Sequence, residues 1–129
     1  MTGKLLDSTV LIDLSRGSTK AADWVDAVHK DEIPLFVSVV SAMELVAGCR
    51  DKIEVEKARK LIADFAFMHL SPAVSENAYD LMLTYSKSHG LTIPDALIAA
   101  AAITQGLELA TDNERHFEMI SGLTVKRPY

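Results

Sequence analysis

The amino-acid sequence predicts an α/β domain built on a mainly parallel sheet, and three observations carry that prediction. Short apolar runs of strand character alternate with amphipathic helical stretches along the chain. Each run leads into a helix, the crossover that parallel neighbours need because a tight turn cannot join them. One helical segment, residues 95–103, is so rich in alanine that a sheet or another helix must pack closely against it.

Residues 4–6 read as a brief buried strand ending at Asp7, followed by a helix over residues 8–14 with Ser8 or Thr9 as its cap and Gly17 as its stop. A second helix starts at Ser18 and carries Ala22, Trp24, Val25 and Val28 at helical spacing, ending before Pro34. Leu35, Phe36 and Val37 form the next strand. From Ser38 or Ser41 a helix runs through Met43, Glu44, Leu45 and Val46 to Gly48.

Asp51 and Glu54 have the spacing of a capping box and open a longer helix faced by Ile53, Ala58, Leu61, Ile62 and Phe65. Residues 68–70 read as a third strand, and Ser71-Pro72 starts a helix that reaches Ser88 and stops at Gly90. Pro94, at a first helical position, opens the alanine-rich helix, which Gly106 closes. Residues 107–110 and 123–125 supply the remaining strands, with a short helical turn between Asn113 and Ile120. No repeat, linker or biased segment interrupts the chain, so one domain is expected over residues 1–129.

Composition narrows the function. Thirteen Lys and Arg against eighteen Asp and Glu leave a formal charge of −5, which disfavours nucleic-acid binding by bulk positive charge. The single cysteine, Cys49, excludes an internal disulfide. The longest apolar run, residues 96–103, is far short of the roughly 20 residues that a membrane span needs, and no signal peptide opens the sequence. A cytoplasmic protein without membrane attachment is expected.

In a parallel sheet the strand C-termini and the following helix N-termini share one edge, where ligands bind. Four acids are expected there: Asp7 after the first strand, Glu44 after the second, Asp95 at a helix start and Asp112 after the strand at 107–110. Each has a structural alternative. Asp7 suits a helix cap, Glu44 lies three residues after Ser41 as in a capping box, Asp95 opposes a helix dipole and Asp112-Asn113 suits a turn.

Together, however, four carboxylates on one edge repel one another, and Lys4 is the nearest local lysine. A hard divalent cation is the usual compensation, and all-oxygen ligation suits Mg²⁺ or Mn²⁺ rather than zinc. His29, His69, His89 and His116 are dispersed without zinc-type pairing and read as surface or packing residues. Glycine-rich phosphate loops and nucleophile elbows are absent from the sequence, and Cys49, past a helix end, reads as structural.

Four segments resemble the motifs of PIN-domain nucleases of the VapC type, the toxin half of toxin–antitoxin pairs: residues 6–12 (LDSTVLI), 41–45 (SAMEL) with Gly48, 94–100 (PDALIAA) and 110–117 (ATDNERHF). The similarity spans essentially the whole chain. It implies a five-stranded parallel sheet between helices, metal-dependent endoribonuclease activity, a homodimer and a cognate antitoxin. It implies that Asp7, Glu44, Asp95 and Asp112 form the catalytic and metal-binding cluster, with Asp7 and Asp95 best placed for direct Mg²⁺ contact.

Both Asp112 and Glu114 qualify by type as the fourth acid, and Asp112 is preferred because it is nearer the strand end. Thr9, Ser41, Thr111 and Asn113 resemble the polar supports that orient the acids, with caps and turns as their structural roles. Glu44 or Asp112 is the candidate general base. Arg115 is a candidate RNA-phosphate contact, as are Lys126 and Arg127, and residues 50–60 hold five basic side chains against three acidic ones. Trp24, Phe36, Phe65, Phe67 and Met68 are weighed as an antitoxin groove and read instead as core.

Two acidic, metal-binding alternatives fail on motif. A phosphoacceptor receiver domain wants paired acids at its first strand, where Asp7 stands alone, and a haloacid-dehalogenase-like phosphatase wants Asp-x-Asp where the chain reads Asp7-Ser8-Thr9. The remaining alternative is a non-catalytic PIN-like module that binds RNA or protein.

Overall fold

The computed structural model describes residues 2–129. The element order is β1 (Lys4–Leu6), α1 (Ser8–Ser15), α2 (Thr19–Lys30), β2 (Leu35–Ser38), α3 (Val39–Ala47) and α4 (Lys52–Ile62), then β3 (Ala66–Met68), α5 (Pro72–His89), α6 (Ile93–Gln105), β4 (Glu108–Ala110), a 3₁₀ turn at Glu114–His116 and β5 (Val125–Lys126). All strand pairs are parallel, in the order β3-β2-β1-β4-β5. The predicted α/β class and five-stranded parallel sheet are observed.

The centre of the sheet follows from the strand period of two. Leu5 pairs with Phe36 and Leu109, and this row packs with α5 and α6; Leu6 pairs with Val37 and Ala110 and faces a second core formed with α1, α2, α3 and α4. Strands buried on both faces are apolar throughout rather than alternating, as Leu5-Leu6 and Leu109-Ala110 show. In α6, Ala96, Ile98, Ala99, Ala100, Ala101 and Ala102 are all buried, because side chains of one carbon let α5 and the sheet approach closely.

From β1 the chain moves outward through β2 to β3, then returns across the sheet to add β4 on the other side of β1. The direction of winding therefore reverses between β1 and β4, which opens a crevice at their C-terminal ends.

Several termini differ from the sequence expectation. Asp7 rather than Ser8 or Thr9 caps α1, and its carboxylate makes no capping hydrogen bond, so it is held for other partners. Ser38 caps α3 by accepting from the Val40 N–H at 3.1 Å. Ser41 lies within that helix, and Glu44 is therefore no capping-box residue. Thr92 caps α6 by accepting from the Asp95 N–H at 3.4 Å, which places Ile93 first and Pro94 second in the helix.

β3 lies two residues earlier than expected because Ala66, Phe67 and Met68 pair in register with Phe36, Val37 and Ser38. β5 is displaced to Val125–Lys126 by its pairing with Leu109 and Ala110. The Asp51 cap is as expected, with its carboxylate accepting from Glu54 N–H at 2.8 Å, although Glu54 reaches back to the Arg50 N–H rather than to that of Asp51. Gly90, at φ 69°, supplies the left-handed turn that ends α5.

Candidate active site

Asp7 stands in the crevice at the end of β1 and is only 3% exposed. Its N–H donates to the Ala110 carbonyl at 2.9 Å, which continues the β1–β4 pairing by one residue and brings Thr111 alongside. The Thr111 hydroxyl donates to Asp7 Oδ2 at 2.7 Å, and the Thr9 hydroxyl reaches the same oxygen at 3.3 Å. Each threonine also accepts a backbone N–H from the loop after β4: Asp112 on Thr9 at 3.0 Å and Asn113 on Thr111 at 3.0 Å. Two hydroxyls thus lock the first acid and the loop bearing the last into one hydrogen-bonded unit.

Glu44 projects from α3 toward the same crevice. Burial raises its carboxyl above the ordinary range and the charges of Asp7 and Asp95 raise it further, while the Ser8 hydroxyl opposes them. Its Oε1 is buried without a hydrogen-bond partner, as is the hydroxyl of Ser41 one helical turn earlier. Orphaned buried polar atoms are rare in folded proteins. Asp95, in the first turn of α6, is likewise raised by burial and then by Asp7, with His116 opposing. The His116 Nδ1 lies 3.3 Å from Asp95 Oδ2.

Asp112 is pushed up to about 6 by burial and by the adjacent Asp13, with Arg127 opposing and Asp7 adding to the rise. Asp13 moves in the opposite direction, held low by its contact with Asp112 and by the Tyr129 hydroxyl, which donates to it at 2.5 Å. Two carboxylates this close titrate as a pair and share the cost of ionising.

The four acids from the motifs therefore meet electrostatically at one end of the sheet. Among the described residues, no three carboxylate, histidine or cysteine side chains converge tightly enough to clasp one ion. Of the expected supports, Thr9 and Thr111 bond Asp7, Asn113 contributes its backbone N–H, and the buried Ser41 hydroxyl has no hydrogen-bond partner. Glu114 lies 3.7 Å from Arg127, the same side chain that donates to the Asp112 carbonyl, and both acids line one cavity. Arg115 is exposed on a shallow cavity of about 480 Å³ beside Asp112.

Asp13, His116, Arg127 and Tyr129 were not singled out as partners of the acids from sequence. Asp13 follows Thr9 by four residues and so shares its helix face, a signal that was available. Arg127, whose Nη1 donates to the Asp112 carbonyl at 3.1 Å, and Tyr129 arrive only through the course of the chain after β5.

A family model described as PIN domain matches residues 4–123. The chain belongs to the PIN-domain family. It is 41% identical over 120 residues to ribonuclease VapC10 of Mycobacterium tuberculosis, covering 92% of this chain and 89% of that protein. A chain of a toxin–antitoxin complex from Klebsiella pneumoniae matches this PIN domain with a TM-score of 0.79 and 29% identity, covering 98% of each. DNA-bound VapBC from Salmonella typhimurium, at a TM-score of 0.82 and 18% identity over 98% of each chain, shows the likeness of fold alone.

The donor set of this PIN domain fits a hard divalent cation. Its candidate ligands are all carboxylate oxygens, three of the four acids are held above their ordinary pKa by burial and mutual repulsion, and one buried oxygen of Glu44 has no protein donor. A cation among them would relieve the repulsion and offer that oxygen a partner.

Proposed function

We propose that this PIN domain is a metal-dependent endoribonuclease, the toxin component of a toxin–antitoxin pair, acting in the cytoplasm. The observation that carries the reading is the unpartnered buried oxygen of Glu44 facing the charges of Asp7 and Asp95. An acid cluster kept partly desolvated, with one buried carboxylate oxygen unpartnered, is costly to the fold, and a cation-dependent chemistry accounts for its retention.

Asp7 and Asp95 would hold Mg²⁺ or Mn²⁺, with Glu44 and Asp112 completing the oxygen set. The cation supplies charge neutralisation at the scissile phosphate and makes an attacking water more acidic. The chain's own groups do the rest. Thr9 and Thr111 fix the Asp7 carboxylate by donating to one of its oxygens, so its position does not depend on the substrate. Glu44 or Asp112, whichever is not taken up by the cation, would accept the water's proton.

Arg115, exposed beside Asp112, is placed to contact a phosphate of the bound strand. RNA, a cognate antitoxin and a second copy of the chain are the proposed partners. Met43, Tyr79, Leu83 and Ile93 are each more than half exposed on α3, α5 and α6, and α6 packs against both of the other two. Large apolar side chains left in water on neighbouring helices suit a homodimer face.

The test is purified protein on total RNA with and without Mg²⁺, beside Asp95→Asn. Cutting that needs Mg²⁺ and disappears in the folded variant supports the proposal. Full activity in Asp95→Asn overturns the assignment of the site, and failure to bind Mn²⁺ by titration calorimetry supports the non-catalytic binding module instead.

A further inference from the structure

His116 lies within the last acidic motif and reads from sequence as a surface or packing residue, yet its ring is set against the site. The 3₁₀ turn that carries it is rigidly anchored. His116 N–H donates to the Asn113 carbonyl at 3.0 Å, Phe117 N–H donates to the Glu114 carbonyl at 2.9 Å, and the Phe117 side chain is fully buried in the core. Asn113 is itself tied through Thr111 to Asp7. The imidazole therefore reaches Asp95 from a frame shared with the first acid, and its Nδ1 stands 3.3 Å from Asp95 Oδ2.

A carboxylate that ligates a cation must present a defined oxygen, and a donor on its other oxygen restricts its rotation. Groups that hold ligands in this way contribute to affinity without touching the ion. Asp95 is only 18% exposed and its N–H donates to Thr92, while Thr92 and, from across the crevice, His116 stand against its carboxylate.

We infer that His116 is a positioning residue, which holds the Asp95 carboxylate through Nδ1 and so sets the cation affinity of the cluster. The inference rests on the nuclease reading above. It also specifies which ring nitrogen acts, because the amide nitrogen of asparagine stands where Nδ1 does, one bond beyond Cγ, whereas that of glutamine corresponds to Nε2.

The experiment is calorimetric titration of Mn²⁺ into the metal-free wild type, His116→Ala, His116→Asn and His116→Gln, with circular dichroism to compare their folds. At 58% exposure the His116 side chain contributes little to the core, so all three variants are expected to fold. His116→Ala should weaken Mn²⁺ binding by about tenfold or more, the range seen when the partner of a metal ligand is removed. His116→Asn should recover most of the loss and His116→Gln little of it. In RNA cleavage, His116→Ala should need more Mn²⁺ but keep its KM for RNA once Mn²⁺ is saturating.

Wild-type Mn²⁺ affinity in His116→Ala, or equal affinities in the Asn and Gln variants, overturns the inference while leaving the nuclease reading intact. A raised KM for RNA with unchanged Mn²⁺ affinity also overturns it, since His116 would then be a substrate contact. No Mn²⁺ binding by the wild type overturns the metal-nuclease reading and this inference with it.

Discussion

Replacing Thr111 with valine isolates the hydrogen bond on which the site is built. The substitution exchanges a hydroxyl for a methyl group of similar size, so it removes the 2.7 Å bond to Asp7 without opening a cavity. Thr111 is fully buried and Asp7 nearly so, and water cannot readily take the donor's place. A hydrogen bond to a charged group contributes about 1.5–3 kcal/mol, and the Asn113 N–H, which loses its acceptor at 3.0 Å, adds up to about 1 kcal/mol. The expected destabilisation is therefore about 1.5–4 kcal/mol. With an unfolding entropy of about 2.1 cal/mol/K for each of the 129 residues, that corresponds to a Tm lower by about 6–15 °C.

The assay is thermal unfolding in EDTA, with Thr111→Ser as control. Serine keeps the hydroxyl and loses one methyl group, so it should lose about 1–1.5 kcal/mol. A Thr111→Val protein as stable as the wild type, or equal losses in the two variants, would refute the view that Thr111 anchors Asp7.

Three further outcomes are expected. The metal-free protein should lose stability as pH rises from about 4 to about 6: Asp112 binds its proton more tightly folded than unfolded, so the folded state holds more protons across that window. Glu44 and Asp95 act in the same direction and Asp13 partly opposes them. After allowance for screening at the partly exposed Asp112, its share is about 1 kcal/mol, and urea unfolding of Asp112→Asn in EDTA should show a correspondingly flatter profile. Ser38→Ala should destabilise by about 1–2 kcal/mol in urea titrations, because it deprives α3 of a buried cap. Gly90→Ala, which forces a side chain into φ 69°, should lower stability by about 1 kcal/mol in the same measurement while leaving RNA cleavage at the wild-type rate.

The sequence by itself determined the class of the fold and offered Asp7, Glu44, Asp95 and Asp112 as candidate acids, without Asp13, which the structure sets against Asp112. Apolar runs of three or four residues, the first three each followed by helices, have few ways to bury both faces, and the parallel sheet is the one that uses those crossovers. Asp7, Asp95 and Asp112 were legible because each sits within one or two residues of an element end. Element ends were read less well. Ser38 competes with Ser41 for the cap of α3 on equal chemical terms, and only the length of β2 decides between them.

Tertiary structure decided what surrounds the acids. Thr111 and Asp7 are 104 residues apart, and no local pattern states that they share a hydrogen bond. The same holds for Tyr129 on Asp13, Arg127 on Asp112 and His116 on Asp95, contacts that join segments separated by other elements. The physical reason is one of range. Periodicity and capping act over a turn or two of chain, so they show which residues arrive at the sheet edge. The partners of a side chain at that edge are set by the order of the strands, β3-β2-β1-β4-β5, which brings the ends of β1 and β4 together and carries the chain after β5 past them.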